Sequence, residues 1–165
     1  TAEGAIAIAM NELPVTIDGA SVLVVGYGRI GKLLAAKLKS LGANVTASAR
    51  RDDDIAWIKA SGINSARTGK LDETIDRIRP DVIFTTVPHT VIGKKELEVC
   101  GDALIIDLAS KPGGVDIAAA GALGKRVIWA LSLPGKTSPV TAGRIIADTV
   151  AMKIPEISGG GDRKC

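Results

Sequence analysis

Two apolar runs, Val22-Leu23-Val24-Val25 and Ala103-Leu104-Ile105-Ile106, restrict the fold more than any other feature of this chain. Both are short and neither alternates with polar residues, so each reads as a strand with apolar side chains on both faces. A strand of that kind needs cover on both sides, which is the condition of a parallel sheet between helical layers. The two runs extend to β-rich segments at 21–25 and 103–107; others lie at 44–48, 81–86 and 126–130, and a weaker one near Ile63. Helix-period segments separate them. Ile30, Leu33, Leu34, Leu38 and Leu41 form an i, i+3, i+4 apolar stripe stopped by Gly42. Asp52-Asp53-Asp54 caps a second helix that Gly62 closes, and Leu71, Ile75 and Ile78 mark a third that ends before Pro80. A longer helix follows Pro139 and carries Ile145, Ile146, Val150 and Ile154. Six strands joined by right-handed crossovers predict an α/β fold, a doubly wound parallel sheet of the Rossmann dinucleotide-binding type.

The first turn of that pattern carries a chemical signal. Gly26-Tyr27-Gly28-Arg29-Ile30-Gly31 is a G-x-G-x-x-G placed after a strand and at the opening of a helix. In that position the first glycine permits the tight turn and Gly28 lets a pyrophosphate approach the backbone. Gly31 lets the helix sit close to the sheet. Free N–H groups and the dipole at the helix start favour the phosphates.

The end of the second strand bears on which dinucleotide is taken. An NAD site usually places Asp or Glu about 20 residues past the glycines, on the ribose 2′-hydroxyl. Here that stretch reads Val45-Thr46-Ala47-Ser48-Ala49-Arg50-Arg51. No acid closes the strand. Ser48 can hydrogen-bond a 2′-phosphate, and Arg50 and Arg51 can grip it through planar forks. The same two arginines can balance Asp52-Asp53-Asp54, and both roles are compatible. NADP is the expected cofactor, with NAD the alternative.

The later strand ends face the ligand crevice of such a fold. After the fourth strand come Thr86, Val87, Pro88 and His89; after the fifth, Leu108, Ala109, Ser110 and Lys111; after the sixth, the stretch Leu131–Gly143 with Lys136. Lys111 and Lys136 are candidates to bind a substrate carboxylate, and His89, the one histidine, is the candidate acid–base. Solvated lysines and a surface-loop histidine are the plainer alternatives.

Composition narrows the class. The chain has 165 residues, 46% of them hydrophobic and 24% charged, a length and balance suited to one globular domain. Mean hydropathy is +0.25, yet no apolar run approaches the ~20 residues of a bilayer span. A net charge of +3 scattered along the chain and 2% aromatics argue against nucleic acid. Cys100 and Cys165 make neither a disulfide framework nor metal-ligand spacing. A cytoplasmic protein without a metal is expected. The opening Thr1–Met10 reads as an apolar helix that packs against something, so a fragment of a longer protein is expected, with a domain over 1–157 and a flexible glycine-rich tail over 158–165.

Several of these segments carry a resemblance. Thr1–Ala5, Gly26–Gly31, Asp107–Ser110 with Pro112-Gly113-Gly114, and Leu133–Lys136 leading to Pro139-x-Thr141-Ala142-Gly143 together resemble the A-subunit family of dipicolinate synthase. The likeness runs from Thr1 to about Ile154, and the two later loops are more specific than the glycine motif. It implies an enzyme of spore-forming bacteria that oxidises dihydrodipicolinate to dipicolinate with NADP. As partner it implies the flavoprotein-like B subunit of the same synthase. It further implies a small dicarboxylate substrate and a substrate domain preceding this chain. Residue by residue it carries over Gly26–Gly31 and Ser48–Arg51 as cofactor-binding, and the strand-four and strand-five loops as nicotinamide-side contacts. No catalytic role carries over.

Two other functions remain open. One is the cofactor domain of a D-2-hydroxyacid dehydrogenase; those enzymes usually follow strand five with Arg-Gly and later use a His–Glu pair. Here that loop reads Ser110-Lys111-Pro112-Gly113, and no histidine follows His89. The other is a sensing module that binds a dinucleotide without chemistry. A homo-oligomer is compatible with each.

Overall fold

The computed structural model describes residues 1–158. Its centre is a six-stranded, fully parallel sheet in the order β3-β2-β1-β4-β5-β6. The strands are β1 (Ser21–Val25), β2 (Asn44–Ala49), β3 (Asn64–Arg67), β4 (Val82–Thr85), β5 (Leu104–Asp107) and β6 (Val127–Trp129). Around them run α1 (Ala2–Glu12), α2 (Arg29–Ser40), α3 (Asp52–Ala60), α4 (Leu71–Ile78), α5 (Lys94–Val99) and α6 (Ile117–Ala122). Then follow α7 (Leu133–Thr137) and α8 (Pro139–Ser158). The doubly wound fold read from the runs is the fold observed.

Burial explains why those runs set the architecture. Val22, Leu23, Val24 and Val25 are each 0% exposed, so both faces of β1 are covered. On one side Leu23, Ile83 and Ile105 pack with Leu71 and Ile75 of α4 and Leu97 of α5. Each side chain so buried contributes about 1.5–3 kcal/mol relative to exposure. From β1 the chain winds outward to β2 and β3, then returns to β4 on the other side of β1. The adjacent ends of β1 and β4 are thus the point where strand order reverses, and connections leave in opposite directions there.

The expected apolar stripe of α2 divides. Gly31, Leu34, Ala35 and Leu38 are buried, whereas Ile30, Leu33 and Leu41 are 36%, 54% and 42% exposed. The cause is Gly31, whose close approach to the sheet centres the buried face on itself and on residues three, four and seven further along. Leu41 instead lines a groove between α2 and α1, bordered by Ile6, Ala7 and Met10. That fits the expectation that α1 packs against a neighbour: Ala2, Gly4, Ala5, Ile6 and Ala9 are buried.

Three further points correct the sequence reading. The acids at 52–54 do not cap α3: its N-cap is Arg51, with no side-chain capping bond, and they form the first turn instead, where carboxylates favour the dipole. Two short helices, α5 and α6, are absent from that reading; α5 opens with the Gly93 N–H donating to Glu96 Oε2 at 3.0 Å. Residues 133–137 are helical rather than loop.

The chain divides into two compact units, Thr1–Leu131 and a second from Ser132 onward, where a single domain over 1–157 is the sequence expectation. The second unit holds α7 and α8, and α8 exposes Ile145, Ile146, Val150 and Ile154. α8 runs to Ser158, and the rest of the glycine-rich tail lies outside the described residues.

Candidate dinucleotide-binding site

At the C-terminal ends of β1, β2, β3 and β4 the first unit opens a crevice of about 700 Å³, within the ~300–1,000 Å³ typical of ligand sites. Its walls are Gly26–Ile30 and Lys32 after β1, and Ala49, Arg50, Arg51 and Asp54 at the end of β2 and the start of α3. Thr68 after β3 and Thr86–His89 after β4 complete it.

The three glycines of the first wall differ in what requires them. Gly26 has φ +97°, and a Cβ there would meet Val87 Cγ2 at 2.7 Å. A Cβ on Gly31 would run into the carbonyl oxygen of Gly26. Protein atoms therefore forbid side chains at both. Gly28 is different: its backbone is ordinary extended chain, φ −77° and ψ −166°, and nothing lies within 4 Å of a Cβ built on it. Only something seated in the crevice would meet that Cβ. Gly28 is also the N-cap of α2 and offers no side-chain cap, so the first-turn N–H groups are left for a ligand, at the end of the helix that favours anions. This wall fits a dinucleotide pyrophosphate.

Charge on the remaining walls is mainly positive. Arg29, Lys32, Arg50 and Arg51 line the crevice against one acid, Asp54. Lys32 Nζ stands 3.7 Å from Asp54 Oδ1 and 5.5 Å from the centre of the Tyr27 ring. Arg51 Nη2 pairs with Asp53 Oδ2 at 3.2 Å, and the Arg67 guanidinium pairs with Asp52. The balancing role expected of the arginines therefore falls to Arg51 and to Arg67, whereas no ion pair engages Arg50 among the described residues.

Of the sequence-predicted contacts, the crevice brings together Gly26, Tyr27, Gly28, Arg29, Ile30, Ala49, Arg50, Arg51, Thr86, Val87, Pro88 and His89. Gly31 lies beneath it. Ser48 is 0% exposed, and its hydroxyl faces Thr68 Oγ1 at 3.4 Å inside the protein. It does not line the crevice; Thr68 does. Leu108 and Ala109 are buried as well, and no residue of the β5 loop lines the crevice. That loop is held from below instead. Asp107, 1% exposed, accepts the Ala109 N–H at 2.9 Å and the Gly114 N–H at 2.7 Å. Trp129 Nε1 donates to Ala109 O at 2.9 Å. Ser110 and Lys111 are left exposed at the tip. Lys136 is exposed on α7, in the second unit. Sequence reasoning missed Lys32, Asp54 and Thr68; Lys32 lies one helical turn beyond Gly28, and Thr68 one residue past the strand paired with β2. Among the described residues no cluster of His, Cys, Asp or Glu could hold a metal, and no helix is long and apolar enough to cross a membrane.

Known proteins are similar to this chain in sequence and fold. The family model "D-isomer specific 2-hydroxyacid dehydrogenase, NAD binding domain" matches residues 3–131. The dipicolinate synthase A subunit of Bacillus subtilis is 36% identical over 158 residues, 95% of this chain and 52% of that protein. The crystal structure of the dipicolinate synthase A subunit from Bacillus halodurans superposes with a TM-score of 0.88 at 38% identity, over 92% of this chain and 52% of that one. The crystal structure of its counterpart from Bacillus subtilis gives 0.90 at 35%, over 96% and 53%. The chain thus spans about half the length of the relatives it matches. The two oxidoreductase readings of the sequence are not exclusive, since one dinucleotide-binding domain answers to both. By the match over residues 3–131, the chain belongs to the family of D-isomer specific 2-hydroxyacid dehydrogenase NAD-binding domains, whose business is a nicotinamide dinucleotide.

Proposed function

We propose that this chain is the NADP-binding part of an oxidoreductase that converts dihydrodipicolinate to dipicolinate during sporulation. The observation that carries the dinucleotide reading is Gly28, a glycine that no protein atom requires, set at an uncapped helix start. The choice of NADP is supported by Arg50 and Arg51 on the wall where an NAD site has an acid, and by Arg50 having no carboxylate partner among the described residues. The choice of substrate is supported by the likeness to the dipicolinate synthase A subunit over nearly the whole chain. A bound nicotinamide supplies the hydride acceptor. What is left to the protein is to hold a dianionic ring and take one proton as the ring becomes aromatic. Exposed Lys111 is our candidate for a carboxylate, and His89, on the crevice wall, is our candidate for the proton; Lys136, exposed in the second unit, is a carboxylate-binding candidate taken by itself. A partner corresponding to the dipicolinate synthase B subunit, a further domain for the substrate, self-association and a cytoplasmic setting belong to the same proposal.

Titration calorimetry with NADP and NAD tests it. NADP should bind more tightly by about 1–3 kcal/mol, the worth of charge-assisted hydrogen bonds to the extra phosphate. Arg50→Ala should weaken NADP by a comparable amount and leave NAD nearly unchanged. Equal losses for both dinucleotides would remove the phosphate-pocket reading.

A further inference from the structure

We propose that Arg67, which lies outside the lining of the crevice, sets the preference of this site for a phosphorylated ribose. It does so as a positioning residue, by occupying Asp52 and by holding the backbone of Arg50. The proposal rests on the reading of the crevice as an NADP site.

The sequence around the end of β2 is by itself a poor anion receptor. Arg50 and Arg51 are followed at once by Asp52, Asp53 and Asp54, so residues 50–54 carry two positive and three negative charges. A ribose phosphate approaching that stretch meets more repulsion than attraction. The structure reverses the balance by giving each acid a different cation. Asp53 is held by Arg51 at 3.2 Å, Asp54 by Lys32 at 3.7 Å, and Asp52 by Arg67. Two of those cations come from elsewhere in the chain, Lys32 from α2 and Arg67 from the end of β3. With them the cluster holds four positive charges against three negative, and the guanidinium left over is that of Arg50.

Arg67 does a second thing in the same place. Its Nη1 donates to the carbonyl oxygen of Arg50 at 3.1 Å, while Nη2 carries the pair with Asp52. One planar fork therefore fixes the Arg50 carbonyl and engages the carboxylate two residues further along the chain. Strand register accounts for its reach: Arg67 pairs with Ala49, the last residue of β2 and the neighbour of Arg50. Stability is a weak reason for the arrangement. The Arg67 and Asp52 side chains are 49% and 85% exposed, and an ion pair so open to water contributes little to folding. What the pair changes is the local charge. Without Arg67, Asp52 is free to capture Arg50 or to repel the phosphate dianion directly.

The test is calorimetry of the 165-residue chain with NADP and with NAD, for wild type, Arg67→Met, and Arg67→Met combined with Asp52→Asn. In Arg67→Met the NADP affinity should fall roughly tenfold, the scale of one lost charge-assisted contact, while NAD stays within about twofold. Adding Asp52→Asn should restore part of the NADP affinity, because the carboxylate that Arg67 restrained is gone while its hold on the Arg50 carbonyl is not replaced. A merely structural role would weaken both dinucleotides alike and would not be rescued by the second change. A wild type that prefers NADP with an unchanged ratio in Arg67→Met, or a loss undiminished in the double variant, overturns the proposal and leaves the NADP reading standing. A wild type with equal affinity for the two dinucleotides overturns the NADP reading, and this proposal with it.

Discussion

Replacing Gly28 by alanine should separate what the fold needs from what the ligand needs. At Gly28 the backbone lies in a region open to any residue, and no atom stands within 4 Å of the added Cβ. Two small opposing effects on stability remain. Alanine reduces the freedom of the unfolded chain, worth about 0.4–1 kcal/mol in favour of folding. Alanine is also a poorer N-cap than glycine, by an amount of roughly the same size. They offset each other, so the melting temperature should move by less than about 3 °C, given ~2–4 °C per kcal/mol for a chain of this length. Binding should respond differently. The methyl group would project into the space through which phosphate oxygens reach the N–H groups of the first turn. Losing one such charge-assisted hydrogen bond is worth about 1.5–3 kcal/mol, or roughly ten- to a hundredfold in affinity. Gly31→Ala is the converse case. Its Cβ would collide with the Gly26 carbonyl oxygen, a backbone atom that cannot swing away, and overpacking of that kind costs about 1–3 kcal/mol or more. Thermal unfolding followed by circular dichroism and titration with NADP and NAD read the two effects separately. A Gly28→Ala protein that binds both dinucleotides as well as wild type would refute the argument, because no ligand then comes close to Gly28. One that melts as low as Gly31→Ala would refute it equally.

Asp107→Asn should destabilise the β5 loop, because an amide presents a donor to one of the two N–H groups that Asp107 now accepts. The buried mismatch costs about 1–3 kcal/mol and should appear as a lower melting point with faster hydrogen exchange at Ala109 and Gly114; unchanged exchange at both amides would contradict it. Cys100 gives a pH dependence of defined sign. Burial pushes its thiol above the ordinary range, with Lys125 opposing in part, so its contribution to stability is fully present below the ordinary thiol range and is lost as pH rises through the raised value. The denaturation midpoint of wild type should therefore fall more steeply than that of Cys100→Ala at alkaline pH, and parallel profiles would speak against it.

How far the sequence could be read depended on whether the deciding force was local. β1, β4 and β5 are legible because burial on both faces leaves runs such as Val22–Val25 almost without polar residues. The glycine turn was legible because its steric needs fall within six consecutive residues. The orientation of α2 was not, since it depends on a contact between Gly31 and Gly26 that selects one flank of a broad apolar stripe. The short helices α5 and α6 bury one side chain each, Leu97 and Ala120, too few to leave a period.

The end of β2 shows the same limit at the site itself. Residues Val45–Ala49 are all buried, so alternation along β2 gives no sign of which side chain faces the crevice, and only its chemistry points to Ser48. The missing constraint is the neighbouring strand. β3 pairs with β2 in parallel, with Ala49 opposite Arg67, which carries Thr68 one residue past the strand end. Thr68 then stands on the rim with Ser48 behind it, and Arg67 stands beside the arginines that follow Ala49. Both residues lie well outside the β2 segment in which a ribose-binding residue is sought by spacing from the glycines. A rule that counts residues from the glycine loop finds Arg50 and Arg51, because they directly follow the strand in which the count ends. It passes over Arg67, because register between strands is fixed by packing of the sheet and not by distance along the chain.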